Sequence, residues 1–172
     1  MMIETILKRR SIRKYTDKKI DDETLHKLLE CGMSGPTCAN KRDWAFLIAD
    51  DKETLEKIAQ CNGGPARMLP QAAMGIVVCG DLSRSFPPAK DYWIVDASIA
   101  TQNIILAATE MGIGSVWLGT WPEMNRVENI IKLFQLPGNV IPLSVIALGY
   151  PTEERSDEKK LYEEDRVHFG KW

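Results

Sequence analysis

Near the start of the chain, Arg9-Arg10-Ser11-Ile12-Arg13 puts three guanidinium groups and a hydroxyl into one short stretch. Guanidinium groups offer planar, fixed donor pairs that match phosphate oxygens, and a serine hydroxyl adds another donor. Such a cluster can hold a phosphate monoester and keep one cation for a second anionic centre. A solvated basic turn is the other reading, since Lys14 follows directly. A second stretch, Gly35-Pro36-Thr37-Cys38-Ala39-Asn40, sets small and hydrogen-bonding residues in a loop. It can approach a polyhydroxyl chain closely, or it can be an ordinary turn. A third, Gly112-Ile113-Gly114-Ser115-Val116-Trp117-Leu118-Gly119, is not a dinucleotide fingerprint, because Trp117 stands where the third glycine is needed. By itself it reads as a helix-to-strand connection.

Other chemistries lack their actors. The sequence has no phosphate-binding P-loop, no H-E-x-x-H zinc motif and no G-x-S-x-G nucleophile elbow. Its two histidines, His26 and His168, form no evident pair with a nucleophile. The four cysteines, Cys31, Cys38, Cys61 and Cys79, make no C-x-x-C pair, so they are expected to be free thiols with no metal or redox-centre role. A hydrolase built on side-chain acid–base work has little to use here. An enzyme whose cofactor carries the chemistry needs less from its side chains.

The elements that must position these stretches follow from patterning. Ile3, Ile6 and Leu7 form a short helical face ahead of the arginines. Asp21 can cap a helix over 22–33 with Leu25, Leu28 and Leu29 on one side, and Gly32 is expected to mark its end. Trp44–Ala49 reads as a strand, and Asp51 can cap a helix carrying Leu55, Ile58 and Ala59. Asn62–Pro65 is a turn, Met74–Cys79 a buried strand, and Ser83–Lys90 a proline-containing loop. Residues 91–111 form the longest helix, apolar on much of its circumference, which implies cover on more than one side. A subunit interface is one way to provide it. Ser115–Gly119 is a short strand, and Thr120-Trp121-Pro122-Glu123 fits a capping box before a helix with Val127, Ile130, Ile131 and Phe134, ended by Pro137-Gly138. Leu143–Gly149 is a last strand, 153–165 a solvated charged segment. The class is α/β in the loose sense, a central sheet with helices on its faces, and 1–172 reads as one domain. Strand direction is not fixed at this level.

Bulk properties set the limits. The 172 residues are 44% hydrophobic and 27% charged, ordinary for a globular chain able to bury a core. A formal net charge of -2 argues against a general nucleic-acid binder. No apolar run approaches the roughly 20 residues of a membrane span. The order of charge and apolarity at the N-terminus is not that of a secretory signal, so a cytoplasmic location is expected.

Taken together, the segments resemble the nitroreductase family. The resemblance is carried, in order along essentially the whole chain, by R-R-S-I-R, G-P-T-C-A-N-K-R-D-W, D-A-S-I-A-T-Q-N-I-I-L-A-A, G-I-G-S-V-W-L-G and A-L-G-Y-P. It implies a central mixed, largely antiparallel sheet flanked by helices, and an intertwined homodimer with two FMN sites at the subunit interface. It also implies electron transfer from NADH or NADPH to a small-molecule acceptor, such as a nitroaromatic or quinone, by a ping-pong mechanism. Carried over residue by residue, Arg9, Arg10 and Ser11 would hold the phosphate and nearby ribityl oxygens, and Arg13 would face the N1/O2 edge of the flavin. Pro36, Thr37, Cys38 and Asn40 of the second subunit would line the ring and ribityl chain. Val116, Trp117, Leu118 and Gly119 would run along the ring with backbone N–H groups near N5. Arg166 in the tail would help bind phosphate, and Arg67 would lie near the pyrimidine end. The flavin would carry the chemistry, with Arg13 tuning it.

Two departures stand out. Where the family loop has Ser, Gln and Pro, this chain has Thr37, Arg42 and Asp43. It is also short for the family, which implies that helices covering the acceptor side in longer members are missing. Other flavin chemistry (dehalogenation, flavin fragmentation, heterocycle oxidation) and a non-catalytic FMN-binding module are the alternatives.

Overall fold

The computed structural model describes residues 2–153 and 161–172. Five α-helices and four strands alternate: α1 Met2–Lys8, α2 Asp22–Met33, β1 Trp44–Ala49, α3 Lys52–Asn62, β2 Met74–Asp81, α4 Tyr92–Glu110, β3 Gly114–Gly119, α5 Met124–Phe134 and β4 Val140–Gly149. The strands form one sheet in the order β1-β2-β4-β3, and every neighbouring pair is antiparallel. The parallel component is a single bridge between Ser11 and Ser115 on the outer edge of β3. This arrangement agrees with a helix-flanked, largely antiparallel sheet.

Period-2 patterning divides the interior into two cores. Val77 and Cys79 of β2, with Val116, Leu118, Val145 and Ala147, face α3 and α5. Met74, Ile76 and Val78, with Ile146 and Leu148, face α2 and α4. The two central strands are therefore apolar on both faces. Each fully buried Leu or Ile contributes roughly 1.5–3 kcal/mol from removal of its surface from water.

Local signals explain most boundaries. Asp21 accepts the Thr24 N–H at 2.7 Å and Asp51 accepts the Thr54 N–H at 2.8 Å, so both helices start at an aspartate cap. α4 packs against α1, α2 and all four strands, which covers much of its apolar circumference within the chain.

α2 spans the expected 22–33, with Gly32 in its last turn and Ser34 as its cap, while two other boundaries differ from expectation. A Cβ on Gly32 would lie 2.8 Å from Ile104 Cγ1, so this glycine is there to bring α2 close to α4. Thr120 does not cap α5. Its side chain is buried and donates to Asn62 Oδ1 at 3.2 Å, and Glu123 is the residue before the helix. β4 begins at Val140 and passes through Pro142. Pro142 lies opposite Cys79 where the β2–β4 register shifts, the kind of irregularity at which a strand tolerates a missing donor.

No described helix is long and apolar enough to cross a membrane. Part of the charged segment anticipated at 153–165, residues 154–160, lies outside the described residues.

Candidate functional site

The basic stretch is held by the outer edge of β3. Ile12 donates its N–H to the Ser115 carbonyl at 2.9 Å, and Thr16 donates to the Tyr150 carbonyl at 2.8 Å. Between these points the segment is also tied by the Tyr15–Pro151 bridge. Tyr15 is buried and donates its hydroxyl to the Ile12 carbonyl at 2.6 Å; burial raises its pKa, so it stays a neutral donor.

Two glycines make the slot. Gly114 and Gly149 are opposite one another in the β3–β4 pair. A Cβ on Gly114 would lie 2.7 Å from Ile12 Cγ2, and one on Gly149 would lie 2.8 Å from the Tyr15 ring. Real Cβ contacts are not that close, so both positions require glycine for the basic segment to dock. This role was not visible in the spacing, because Ile12 and Tyr15 are distant in sequence from both glycines.

Arg9, Arg10, Ser11 and Arg13 therefore belong to one segment docked along this edge, with Ser11 bridging Ser115. Arg10 also reaches back to the carbonyls of Leu7 and Lys8, the C-terminal end of α1, where a cation is favoured. Ser11, Ile12, Arg13 and Lys14 line a cleft of about 150 Å³ with Glu153, which pairs with Lys14 at 3.1 Å.

β3 adds backbone donors. It is an edge strand, and Ser115 turns its carbonyl outward to Ile12. In an antiparallel pair, alternate residues turn their polar groups away from the neighbour, so Trp117 and Gly119 do the same. The Gly119 carbonyl accepts Arg126 Nη1 at 3.0 Å, in keeping with this. Val116 and Leu118 are buried in the α3/α5 core, and their side chains serve packing. Trp117 and Gly119 are exposed. Ser115 Oγ is buried without a partner in the structure.

The 36–40 loop lies elsewhere. Cys38 donates its N–H to both carboxyl oxygens of Asp96, at 3.0 and 2.9 Å. Arg42 donates its N–H to the Thr37 hydroxyl at 3.0 Å, so that hydroxyl shapes its own loop. Ala39, Asn40 and Arg42 have φ of 48°, 53° and 52°, the left-handed region that non-glycine residues adopt at a cost. Pro36 precedes this turn, and a Cβ on neighbouring Gly35 would lie 2.5 Å from Ile99 of α4.

The loop and the arginines are therefore apart in one chain. Asp96 is in the first half of α4, whereas the basic stretch follows α1, whose Thr5 bonds Glu110 at the other end of α4. At 1.5 Å per residue those ends are roughly 20 Å apart. The loop also feeds β1, at the opposite sheet edge from β3, about 14 Å away at three strand spacings.

Arg67 lies exposed in the turn after α3, which the Asn62–Thr120 bond ties to the end of β3. Arg166 is on the exposed tail, with Glu163 and Asp165 as its ion-pair partners there.

Sequence reading missed Asp96. A lone acid between Val95 and Ala97 on an apolar helix was a usable signal, since a buried carboxyl needs a partner. It is 2% exposed and faces Asp43, which is 1% exposed. Burial and the neighbouring Asp43 raise the Asp96 pKa to about 6, against the pull of the Cys38 N–H. Asp43 Oδ2 accepts the Ser85 hydroxyl at 2.7 Å, and its Oδ1 has no partner.

The cysteines are all free. Burial pushes the Cys79 thiol up to about 12 and also raises that of Cys61, which keeps both protonated and unreactive.

A model of the nitroreductase family matches residues 6–73 and 62–150. The chain belongs to the nitroreductase family. Within it, a protein of Methanothermobacter thermautotrophicus is 43% identical over 171 residues, covering 99% of this chain and 87% of that one. The solved FMN-dependent nitroreductase of Clostridium difficile is 34% identical with a TM-score of 0.86, covering 99% of both chains. An NADPH:FMN oxidoreductase of Vibrio harveyi, solved with NAD+, is 29% identical with a TM-score of 0.88, covering 99% of this chain and 77% of that one. The nitroreductase fold thus accounts for the whole antiparallel sheet and the placement of α4 across it.

Proposed function

We propose that this nitroreductase-family chain is an FMN-dependent oxidoreductase that takes electrons from NADH or NADPH and passes them to an organic acceptor. The observation that carries this reading is the basic segment seated on the free edge of β3. There, arginines, a hydroxyl and outward backbone N–H groups form a donor set for a planar ligand with a phosphate tail. The unpartnered Ser115 Oγ beneath it adds to the fit. The names of the Clostridium and Vibrio relatives agree with that ligand.

Bound FMN would supply two-electron redox chemistry between a nicotinamide and an organic acceptor such as a nitroaromatic or quinone. The chain's own part is binding and electrostatics. Arg9, Arg10 and Ser11 take the phosphate and nearby ribityl oxygens. Arg13 sets a fixed positive charge where negative charge builds on reduction, which favours the reduced state. Trp117 and Gly119 offer N–H groups along one ring edge.

The loop at the opposite sheet edge completes the site from a second copy. Pro36, Thr37, Cys38 and Asn40 lie towards the Asp96 end of α4 and the β1 edge, whereas the arginines follow α1 and dock on the β3 edge. Exposed apolar residues support a homodimer: Ile3, Ile6 and Leu7 on α1, Tyr92 and Val95 on α4, and Phe169 and Trp172 on the tail. A groove of about 450 Å³ between α1, α2 and α4, lined by Ile6, Leu106 and Ala107 among others, offers room for a partner's side chains.

The test is an absorption spectrum of the purified protein, taken without oxygen before and after NADH and NADPH. A flavin spectrum that bleaches on reduction is expected. Protein that binds no FMN overturns the reading, and bound flavin that no nicotinamide bleaches reduces it to a binding module. With acceptor added, parallel double-reciprocal lines are expected, and intersecting lines exclude the ping-pong scheme.

A further inference from the structure

The loop that carries Cys38 is strained, and side chains from outside reach it at both ends: Asp96 at Cys38 and Ser85 at Asp43. Three left-handed residues within Ala39–Arg42 hold the backbone in a conformation that non-glycine residues adopt at a cost. Thr37 stabilises the loop from within; Asp96 holds it from α4. Against Asp96 stands Asp43, at the other end of the same loop, with one carboxyl oxygen satisfied by Ser85 and the other buried with no partner.

The charged surroundings offer no relief. The groups against the two carboxyls are the Cys38 N–H and the Ser85 hydroxyl, and the Asp81 N–H reaches the Asp43 carbonyl at 2.6 Å. Arg42 carries its guanidinium over the Trp44 ring, 5.4 Å from its centroid. Among the described residues no cation forms an ion pair with Asp43 or Asp96. Two adjacent buried carboxylates without a cation cannot both be ionised cheaply.

A proton resolves both anomalies. On Asp96 it turns one oxygen into a donor for the unpartnered Asp43 Oδ1, while the other oxygen still accepts the Cys38 N–H. We propose that Asp43 and Asp96 share one proton and act as a pH-dependent latch on the Thr37–Asp43 loop, with Asp96 a positioning residue for the flavin site. The flavin part rests on the function proposed above; the latch itself does not. Loss of the proton leaves two like charges buried beside each other, and the loop relaxes by moving Asp43 towards water.

The sign follows from the raised pKa. The folded state holds a proton that the unfolded chain releases near 3.8, so this stabilisation is complete below that value and is lost as pH rises through about 6. The loop is therefore tightest in mild acid and loosest in mild base.

The experiment compares the parent protein with Asp96→Asn and Asp43→Asn at pH 5.5 and 8. An asparagine at 96 imitates the protonated acid, since its amide can donate to Asp43 and its carbonyl can accept from Cys38. The first readout is the hydrogen-exchange protection factor of the Cys38 amide, which divides out the intrinsic pH dependence of exchange. The parent is expected to lose about fourfold protection between the two pH values, since a group with a pKa of about 6 is already partly deprotonated at pH 5.5, and both variants to stay level. The second readout is FMN affinity, taken as the ratio of parent to Asp96→Asn at each pH. The flavin phosphate has its own proton with a pKa near 6, but that cancels in the ratio. The ratio is expected to fall about fourfold from pH 5.5 to 8. A parent protection factor unchanged with pH, or a variant that follows the parent, overturns the latch. A parent that binds no FMN at either pH overturns the flavin reading, and the Cys38 amide then decides the latch alone.

Discussion

Arg9 and Arg13 are close in sequence, yet the proposed function gives them separable duties, and substitution tests them separately. In that proposal Arg9 takes the phosphate. A hydrogen bond to a charged group is worth roughly 1.5–3 kcal/mol, so Arg9→Ala should weaken FMN binding about tenfold or more. Titration of apo-protein with FMN checks this, and a variant that retains flavin tightly counts against the assignment. Arg13 lines the cleft beside Ser11, and its duty is the charge of the reduced ring. Arg13→Ala should lower the two-electron potential by about 30 mV or more, the equivalent of about 1.4 kcal/mol. Spectroelectrochemistry reads that shift; an unchanged potential removes Arg13 from the role. Residue types alone left these cations open to a solvated basic turn, and it was the resemblance to the family that singled them out as ligand-binding. Asp43 and Asp96 are different. Their meaning depends on a contact between a loop and a helix, and neither has a local pattern that announces the other.

Element by element, the sequence was clearest where a local rule fixes the outcome. Aspartate caps set the starts of α2 and α3, and alternating apolar residues set the two faces of β2. It was least clear where a long-range contact overrides the local signal. Gly32 looks like a helix stop and is also a contact point for Ile104, and Thr120 looks like a cap but is turned inward to Asn62. The docking slot formed by Gly114 and Gly149 is of the same kind. It leads to a prediction about the element, since the whole segment from Ser11 to Thr16 depends on it. A methyl group at 149 would collide with Cγ and Cδ1 of Tyr15, both 2.8 Å away, and with its Cβ at 3.0 Å. A Cβ cannot swing aside as a chain end can, so the segment must shift. Gly149→Ala should cost about 1–3 kcal/mol of stability, as overpacking usually does. It should also weaken FMN binding, although position 149 touches no ligand. Thermal unfolding and FMN titration measure the two effects, and a variant with parental values for both would show that the segment docks without the slot.

For the molecule as a whole, the decisive feature is the division of the site between opposite sheet edges. The arginines sit on the β3 edge, and the Thr37–Asn40 loop enters the β1 edge, at the other end of α4. If a flavin needs both, each site must take its arginines from one subunit and its loop from the other. This can be tested by mixing two defective proteins. Let Arg9→Ala damage the phosphate side and Asn40→Ala damage the loop side. In a mixed dimer both lesions fall in one site, and the second site is intact. Unfolding and refolding the two together at equal amounts gives a statistical population in which about half of the dimers are mixed, so about one site in four binds FMN at parental affinity. Were each site built within a single chain, every site would carry one lesion and no tight binding would return. Titration of the refolded mixture separates the outcomes, because a tight fraction has no other source. The same mixing also separates assembly from site structure: a dimer seen by sedimentation without any tight fraction would keep the interface but return the whole flavin pocket to one subunit.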